Sequence, residues 1–131
     1  AMKDAMREAG YTDRDIVYVN AHGTGTPMND VLETAAIKKA LGEDNAKKAY
    51  VSSTKSMTGH MLGAAGAIEA LACLFALNES IIPPTINLHE QDEACDLNCV
   101  PNTAVEAGIT LALSNSLGFG GHNACLAFRK V

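Results

Sequence analysis

The sequence predicts an α/β domain built on a mixed sheet with helices on its faces. Three observations carry that prediction. "DIVYVNAH" is an apolar, β-branched run that leads into glycines and then a helical pattern. "AYVSST" opens the same succession a second time, and "ITLALSNSLGFGGHNACLAFRKV" holds two β-type runs joined by glycines. The chain has 131 residues, 47% of them hydrophobic, which fits one compact domain with a modest core.

In chain order, "AMKDAMREAG" has the spacing of an amphipathic helix stopped by Gly10. It opens mid-helix, with nothing before it to cover its apolar face, so the chain is expected to be a piece of something larger. The strand at "DIVYVNAH" runs into a glycine loop, and "TPMNDVLETAAIKKAL" then has helical spacing with Pro27 near its first turn. A polar turn from Gly42 to Lys48 precedes the strand "AYVSST", the loop "KSMTGHMLG" and a helix from Ala64 to Leu77. The apolar stretch "MLGAAGAIEALACLFAL" is interrupted by Glu69 and falls short of the ~20 residues that span a bilayer, so it reads as a buried helix, with no membrane involved. "IIPPTINLHEQDEACDLNCVPNTAVEAG" is rich in Pro, Asn and acids; it predicts an extended excursion with a short strand near Cys99. The chain closes on a hairpin around Gly118, Gly120 and Gly121.

Composition excludes several classes of function. The formal net charge is -5, and the ten Lys and Arg residues form no basic stripe; with few aromatic residues and no tryptophan, nucleic acid is not an expected partner. Four cysteines without a secretory leader point to a reducing cytoplasm. His89, Cys95 and Cys99 fit no common zinc spacing, so no metal site is expected, and no glycine loop has the GK[ST] ending of a phosphate-binding loop.

His22 and His60 each follow a predicted strand, at the carboxyl end where α/β sheets collect ligands. Either alone reads as well as an ordinary loop histidine, but two in equivalent loops point to a site. Thr24 and Thr26 offer hydroxyls to an amide-bearing ligand. Glu69 sits in an otherwise apolar helix, where a buried carboxylate requires a cation, and Lys55 is the nearest by sequence; a narrow exposed face for Glu69 is the alternative. "GFGG" is either a plain tight turn or a gate in which the backbone N–H of Phe119 faces a developing oxyanion. A thioester transferase needs a nucleophile, and no cysteine here is convincing: Cys73 and Cys125 read as small core residues, Cys95 and Cys99 as parts of the irregular segment. Thioester chemistry would then require a nucleophile from elsewhere.

"NAHGTGTPMND", "STKSMTGHMLGAAGAIEA" and "NSLGFGGHNACLAF", in this order, resemble signatures of the C-terminal half of β-ketoacyl-acyl carrier protein synthases, the elongating condensing enzymes with a Cys-His-His site. The resemblance covers nearly the whole chain. It implies a thiolase-like half, with a five-stranded mixed sheet forming a three-layer α/β/α portion of a five-layer fold, and a nucleophilic cysteine in a half that precedes residue 1. His22 and His60 would then be the active-site histidines, Lys55 the lysine that orients the histidine loop, Glu69 its carboxylate partner, Thr24 and Thr26 the pantetheine contacts, and Phe119 the gating residue. Leu117 stands where many relatives carry Phe, and His122 where some carry Thr. Asp30 and Glu33 match acidic family positions, but capping of the following helix at the surface explains them as well.

What the resemblance implies for the whole enzyme is decarboxylative condensation of an acyl-enzyme thioester with malonyl-acyl carrier protein. It implies no cofactor beyond the phosphopantetheine of the carrier, a homodimer, and an inactive fragment. A ketosynthase domain of a polyketide synthase is the nearest rival; a non-catalytic module binding acyl chains or carrier protein is a rival from another class. Thiolases share the fold, but the "KSMTGH" lysine points away from them. Lys38, Lys39, Lys47 and Lys48 are the local candidates for docking an acidic carrier protein.

Overall fold

Alternation of residues between two cores organises the molecule, a computed structural model that describes residues 1–130. The elements run α1 (Met2–Glu8), β1 (Val17–Asn20), α2 (Asn29–Leu41), α3 (Glu43–Lys48), β2 (Tyr50–Ser52), α4 (Lys55–Thr58), α5 (Ala65–Glu79), β3 (Ile81–Ile82), β4 (Val105–Glu106), β5 (Leu111–Gly118) and β6 (His122–Arg129). The main sheet has the order β2-β1-β5-β6. β1 is parallel to both its neighbours, with Val19 opposite Val51 and Leu113, and β6 returns antiparallel to β5. The last residue of the expected hairpin, Val131, lies outside the described residues.

Successive strand residues point to opposite faces, so Val17 and Val19 join one cluster and Tyr18 the other. The first cluster packs Met6, Ile37, Leu41 and Ala46 of α1, α2 and α3 on the sheet. The second packs Cys73, Ala76 and Leu77 of α5 on the opposite face. A strand covered on both sides reads as a continuous apolar run, which is why "VYVN" is fully buried.

Four differences from the sequence reading have physical causes. The sheet has four full strands; at the fifth position Asn98 makes a single parallel bridge to Tyr50, its carbonyl accepting from the N–H of Val51 at 2.8 Å. A strand cannot continue there, because Val100 turns to φ +42° and Pro101 has no N–H to donate. The segment "KSMTGHMLG" is two short helical turns, α4 and a 3-10 turn at Leu62–Ala64, separated at Gly59 with φ +72°. The third difference is that α5 is buried along one stripe only: Ala65, Glu69, Cys73, Ala76 and Leu77 face the sheet, while Leu71, Leu74 and Phe75 are exposed. One sheet covers one side of a helix, and the apolar residues on the other side find no partner among the described residues. The segment Leu62–Glu79 is by length and composition apolar enough to cross a membrane, but its inner stripe, with Glu69, is spent on the sheet. The fourth, at Glu33, belongs to the site.

Arg129 closes the domain across its far edge. Its guanidinium donates to both carboxylate oxygens of Asp15, at 2.8 and 2.9 Å, and its Nε to the carbonyl of Ala9 at 2.9 Å. That bidentate partner holds the Asp15 carboxyl far below the usual carboxylate range.

Candidate active site

Because β1 and β2 are parallel neighbours, their carboxyl ends share one edge, and the loops that leave it bring His22 and His60 together. The ring centroids are 5.6 Å apart with the planes at 88°. An open cavity of about 1810 Å³ is lined by His22, Thr24, Thr26, Lys55, His60 and Phe119. Glu69 lies buried behind it.

His22 is fixed through its backbone. The Glu33 carboxylate accepts the N–H of His22 and that of Gly23, each at 2.9 Å. The ring is half-buried, and its Nδ1 is buried without a partner among the described residues. Desolvation lowers the pKa of His22 below its ordinary 6.5; the Lys55 charge and His60 lower it further, against a smaller opposite pull from Asp30. His22 is therefore neutral at neutral pH.

His60 is exposed and is oriented by the chain that follows it. Its Nδ1 accepts the N–H of Leu62 at 3.1 Å, so the proton of the neutral ring sits on Nε2. The ring thus presents a donor. Beneath both loops Lys55, 8% exposed, donates from Nζ to Oε1 of Glu69, 2% exposed. Glu69 does not lie on an exposed face. The pair cancels two buried charges that neither residue could carry alone, and it anchors α4 to α5. Phe119 is wholly exposed at the hairpin tip, and the hydroxyls of Thr24 and Thr26 are 3.0 Å apart at the mouth.

No thiol whose titration is perturbed is primed to attack. Burial pushes Cys73 up to about 12 and Cys99 and Cys125 to about 11, so these thiols stay protonated. What this arrangement can do is hold a carbonyl oxygen between a fixed neutral imidazole and an oriented N–H donor, beside a buried cation.

A family model described as "Beta-ketoacyl synthase, C-terminal domain" matches residues 1–89. The chain belongs to the β-ketoacyl synthase family. It is 51% identical over its whole length to the 3-oxoacyl-[acyl-carrier-protein] synthase 2 of Vibrio harveyi, covering 32% of that protein. It is 54% identical over 99% of its length to the enzyme of the same name from Coxiella burnetii, covering 31% of it. The chain spans about a third of the length of these curated relatives. Among solved structures, a β-ketoacyl synthase from Burkholderia phymatum superposes with a TM-score of 0.88 at 37% identity, over 99% of this chain and 32% of that one. The ketosynthase complex AntDE:AntF, a type II PKS acyl-carrier protein with its ketosynthase bound to the hexaketide, gives a TM-score of 0.92 at 38% identity, over 100% of this chain and 33% of that one.

In this β-ketoacyl synthase domain the sequence reading missed Glu33 as part of the site. It is not a surface cap: it is 3% exposed and also accepts from Asn115 Nδ2 at 3.2 Å. Burial raises its pKa, against the pull of the N–H groups of Gly23 and His22. The signal was present, since Glu33, Ile37 and Leu41 recur every four residues and share the buried stripe of α2. Asp30 does support the loop, accepting the N–H of Gly25 at 3.3 Å. Asn20 and Thr54, at the ends of the paired strands, hydrogen-bond each other at 3.1 Å and went unnoticed because both read as ordinary strand-end polar residues.

Proposed function

We propose that this chain supplies the malonyl-activating half of a 3-oxoacyl-[acyl-carrier-protein] synthase, spanning its C-terminal domain over residues 1–131. The observation that carries the reading is the meeting of His22 and His60 at one sheet edge, 5.6 Å apart, with the His60 ring donating from Nε2. Two such groups on the carbonyl oxygen of a malonyl thioester stabilise the enolate formed when carbon dioxide leaves. The enolate carbon then attacks an acyl thioester on a cysteine outside this chain; the new carbon–carbon bond forms as the carbon–sulfur bond breaks, and the cysteine leaves as thiolate. The product is a 3-oxoacyl thioester on the carrier.

In this reading Lys55 and Glu69 hold the floor of the site, Thr24 and Thr26 meet the phosphopantetheine arm, and the Phe119 N–H joins the oxyanion hole. The reaction needs no resident cofactor. The partners are acyl carrier protein with its acyl and malonyl thioesters, and a second copy of the enzyme in a homodimer. Four free thiols fit a reducing cytoplasm. The exposed Leu71, Leu74 and Phe75 of α5 fit a contact with the half that carries the nucleophile.

A polyketide ketosynthase is the second reading, favoured by the 38% identical AntDE:AntF neighbour. The 51–54% identity to synthase 2 enzymes favours fatty acid elongation. The test is an assay of the full-length protein for 3-oxoacyl formation from acyl- and malonyl-carrier protein. A single two-carbon extension per turnover supports the first reading, repeated extension without reduction supports the second, and binding of carrier without condensation would leave a non-catalytic module.

A further inference from the structure

We propose that Ser53 is a positioning residue that sets the spacing of the two histidine rings, by tying the His22 loop to the end of the strand from which the His60 loop departs. The proposal rests on the reading of His22 and His60 as the malonyl-activating pair. Ser53 is 7% exposed and follows β2 directly. Its Oγ donates to the carbonyl of Gly23 at 2.7 Å, while the N–H of Gly23 is held by Glu33. The residue after His22 is thus gripped on both sides, once by a helix and once by the neighbouring strand end.

The approach is as close as two chains allow. A Cβ on Gly23 would lie 2.5 Å from Ser53 Cβ and 2.8 Å from its Oγ, and the φ of Gly23 is +39°. Only glycine fits opposite this serine.

Ser53 is itself braced from behind. Its N–H donates to Thr85 Oγ1 at 3.0 Å; its carbonyl accepts from Ser56 Oγ at 2.9 Å, and that hydroxyl accepts the N–H of Ile86 at 3.0 Å. Thr85 in turn donates its N–H to the carbonyl of Val100 at 3.0 Å and accepts from the N–H of Asn102 at 2.9 Å. Val100 and Asn102 hold φ values of +42° and +61°, and a β-branched residue occupies that region only when its surroundings impose it. The proline-rich excursion therefore acts as a strap: it fixes Thr85, Thr85 fixes Ser53, and Ser53 fixes the carbonyl next to His22. His60 departs from the same strand end through Lys55 and α4, so the serine references both rings to one point.

The full-length protein that contains this chain tests the role with Ser53→Ala, Ser53→Thr and Gly23→Ala. Three quantities are read: decarboxylation of malonyl-carrier protein, acyl transfer from acyl-carrier protein to the enzyme's cysteine, and the melting temperature. A misplacement on the order of 1 Å costs about 100-fold. Ser53→Ala is therefore expected to lower kcat for decarboxylation about 10- to 100-fold, with KM changed by less than about threefold and acyl transfer nearly unchanged. Ser53→Thr, which keeps the hydroxyl, restores most of the rate. Gly23→Ala keeps the hydroxyl but forces the loops apart, and shows the same selective loss even if Ser53→Ala fails to fold. Equal loss of both partial reactions in step with the melting temperature, or unchanged decarboxylation in Ser53→Ala, overturns the positioning role. A wild-type protein that decarboxylates nothing overturns the functional reading and this role with it, whereas an active wild type with an indifferent Ser53→Ala overturns this role alone.

Discussion

The two histidine loops leave the same sheet edge but are held by different means. The His22 loop is fixed by distant partners: Glu33 takes two of its N–H groups and Ser53 takes a carbonyl, all through well-buried side chains. The His60 loop is fixed by its own neighbours, with Gly59 turning at φ +72° and Leu62 N–H bonding the imidazole, and it is exposed from Met57 to Ala64. One ring is desolvated and neutral; the other stays wet and presents a donor. In the proposed function, a site that binds a thioester carbonyl and then releases a product gains from one rigid contact and one held at its tip mainly by its own loop.

The largest effect that would break this comparison comes from deleting either ring. In the full-length protein, His22→Ala and His60→Ala are each expected to lower decarboxylation about 100- to 10,000-fold, as general acid–base groups do. Retained decarboxylation in either variant would remove that ring from the reaction. Next is Lys55→Met, which strands the Glu69 carboxylate in the core. A loss of about 3–5 kcal/mol in urea unfolding is expected, far more than any exposed ion pair gives. Smaller is Glu33→Gln, which replaces one charged acceptor by an amide N–H₂ facing two N–H donors. It should cost about 1–3 kcal/mol and speed hydrogen exchange at His22 and Gly23 while leaving the Leu62 amide as it was.

The smallest effect sharpens the contrast. His60→Ala removes one of the causes that depress His22, so the His22 pKa should rise toward 6.5, as followed by NMR of histidine-labelled protein. Because the folded pKa lies below the unfolded value, the unfolded chain takes up the proton first as pH falls. Stability is lost as pH drops through 6.5 toward the folded value, and that loss shrinks in His60→Ala.

How much of this was legible depended on whether the cause was local. His22 and His60 announced themselves because glycines and hydroxyls cluster after an apolar run, and Lys55–Glu69 because a carboxylate in "AIEALACL" demands a cation. The sheet order was less open to reading, since β5 reaches β1 only after the whole second unit and the excursion. Glu33 was missed because acids at a helix start have a common surface explanation, and only the four-residue recurrence with Ile37 and Leu41 contradicts it. Ser53 carries no sequence signal at all; its importance comes from Gly23 and Thr85, 30 residues before it and 32 after it. The exposed side of α5 was read as buried because composition cannot say how many partners a helix has.

The Arg129 clamp has a consequence for biogenesis. Asp15 and Arg129 are 114 positions apart, and the Ile16 N–H meets its Thr110 partner across 94. During translation the first strand can meet β2 early, but it emerges long before β5, its other partner, and Asp15 waits longer still for its cation. Helices α1, α2 and α5 can form as they leave the ribosome, but the sheet cannot close until Arg129 is free of the exit tunnel. Nascent chains of this domain therefore spend most of their synthesis with one edge of "VYVN" unpaired, the edge that β5 later covers, and that is the interval in which a chaperone has most to protect.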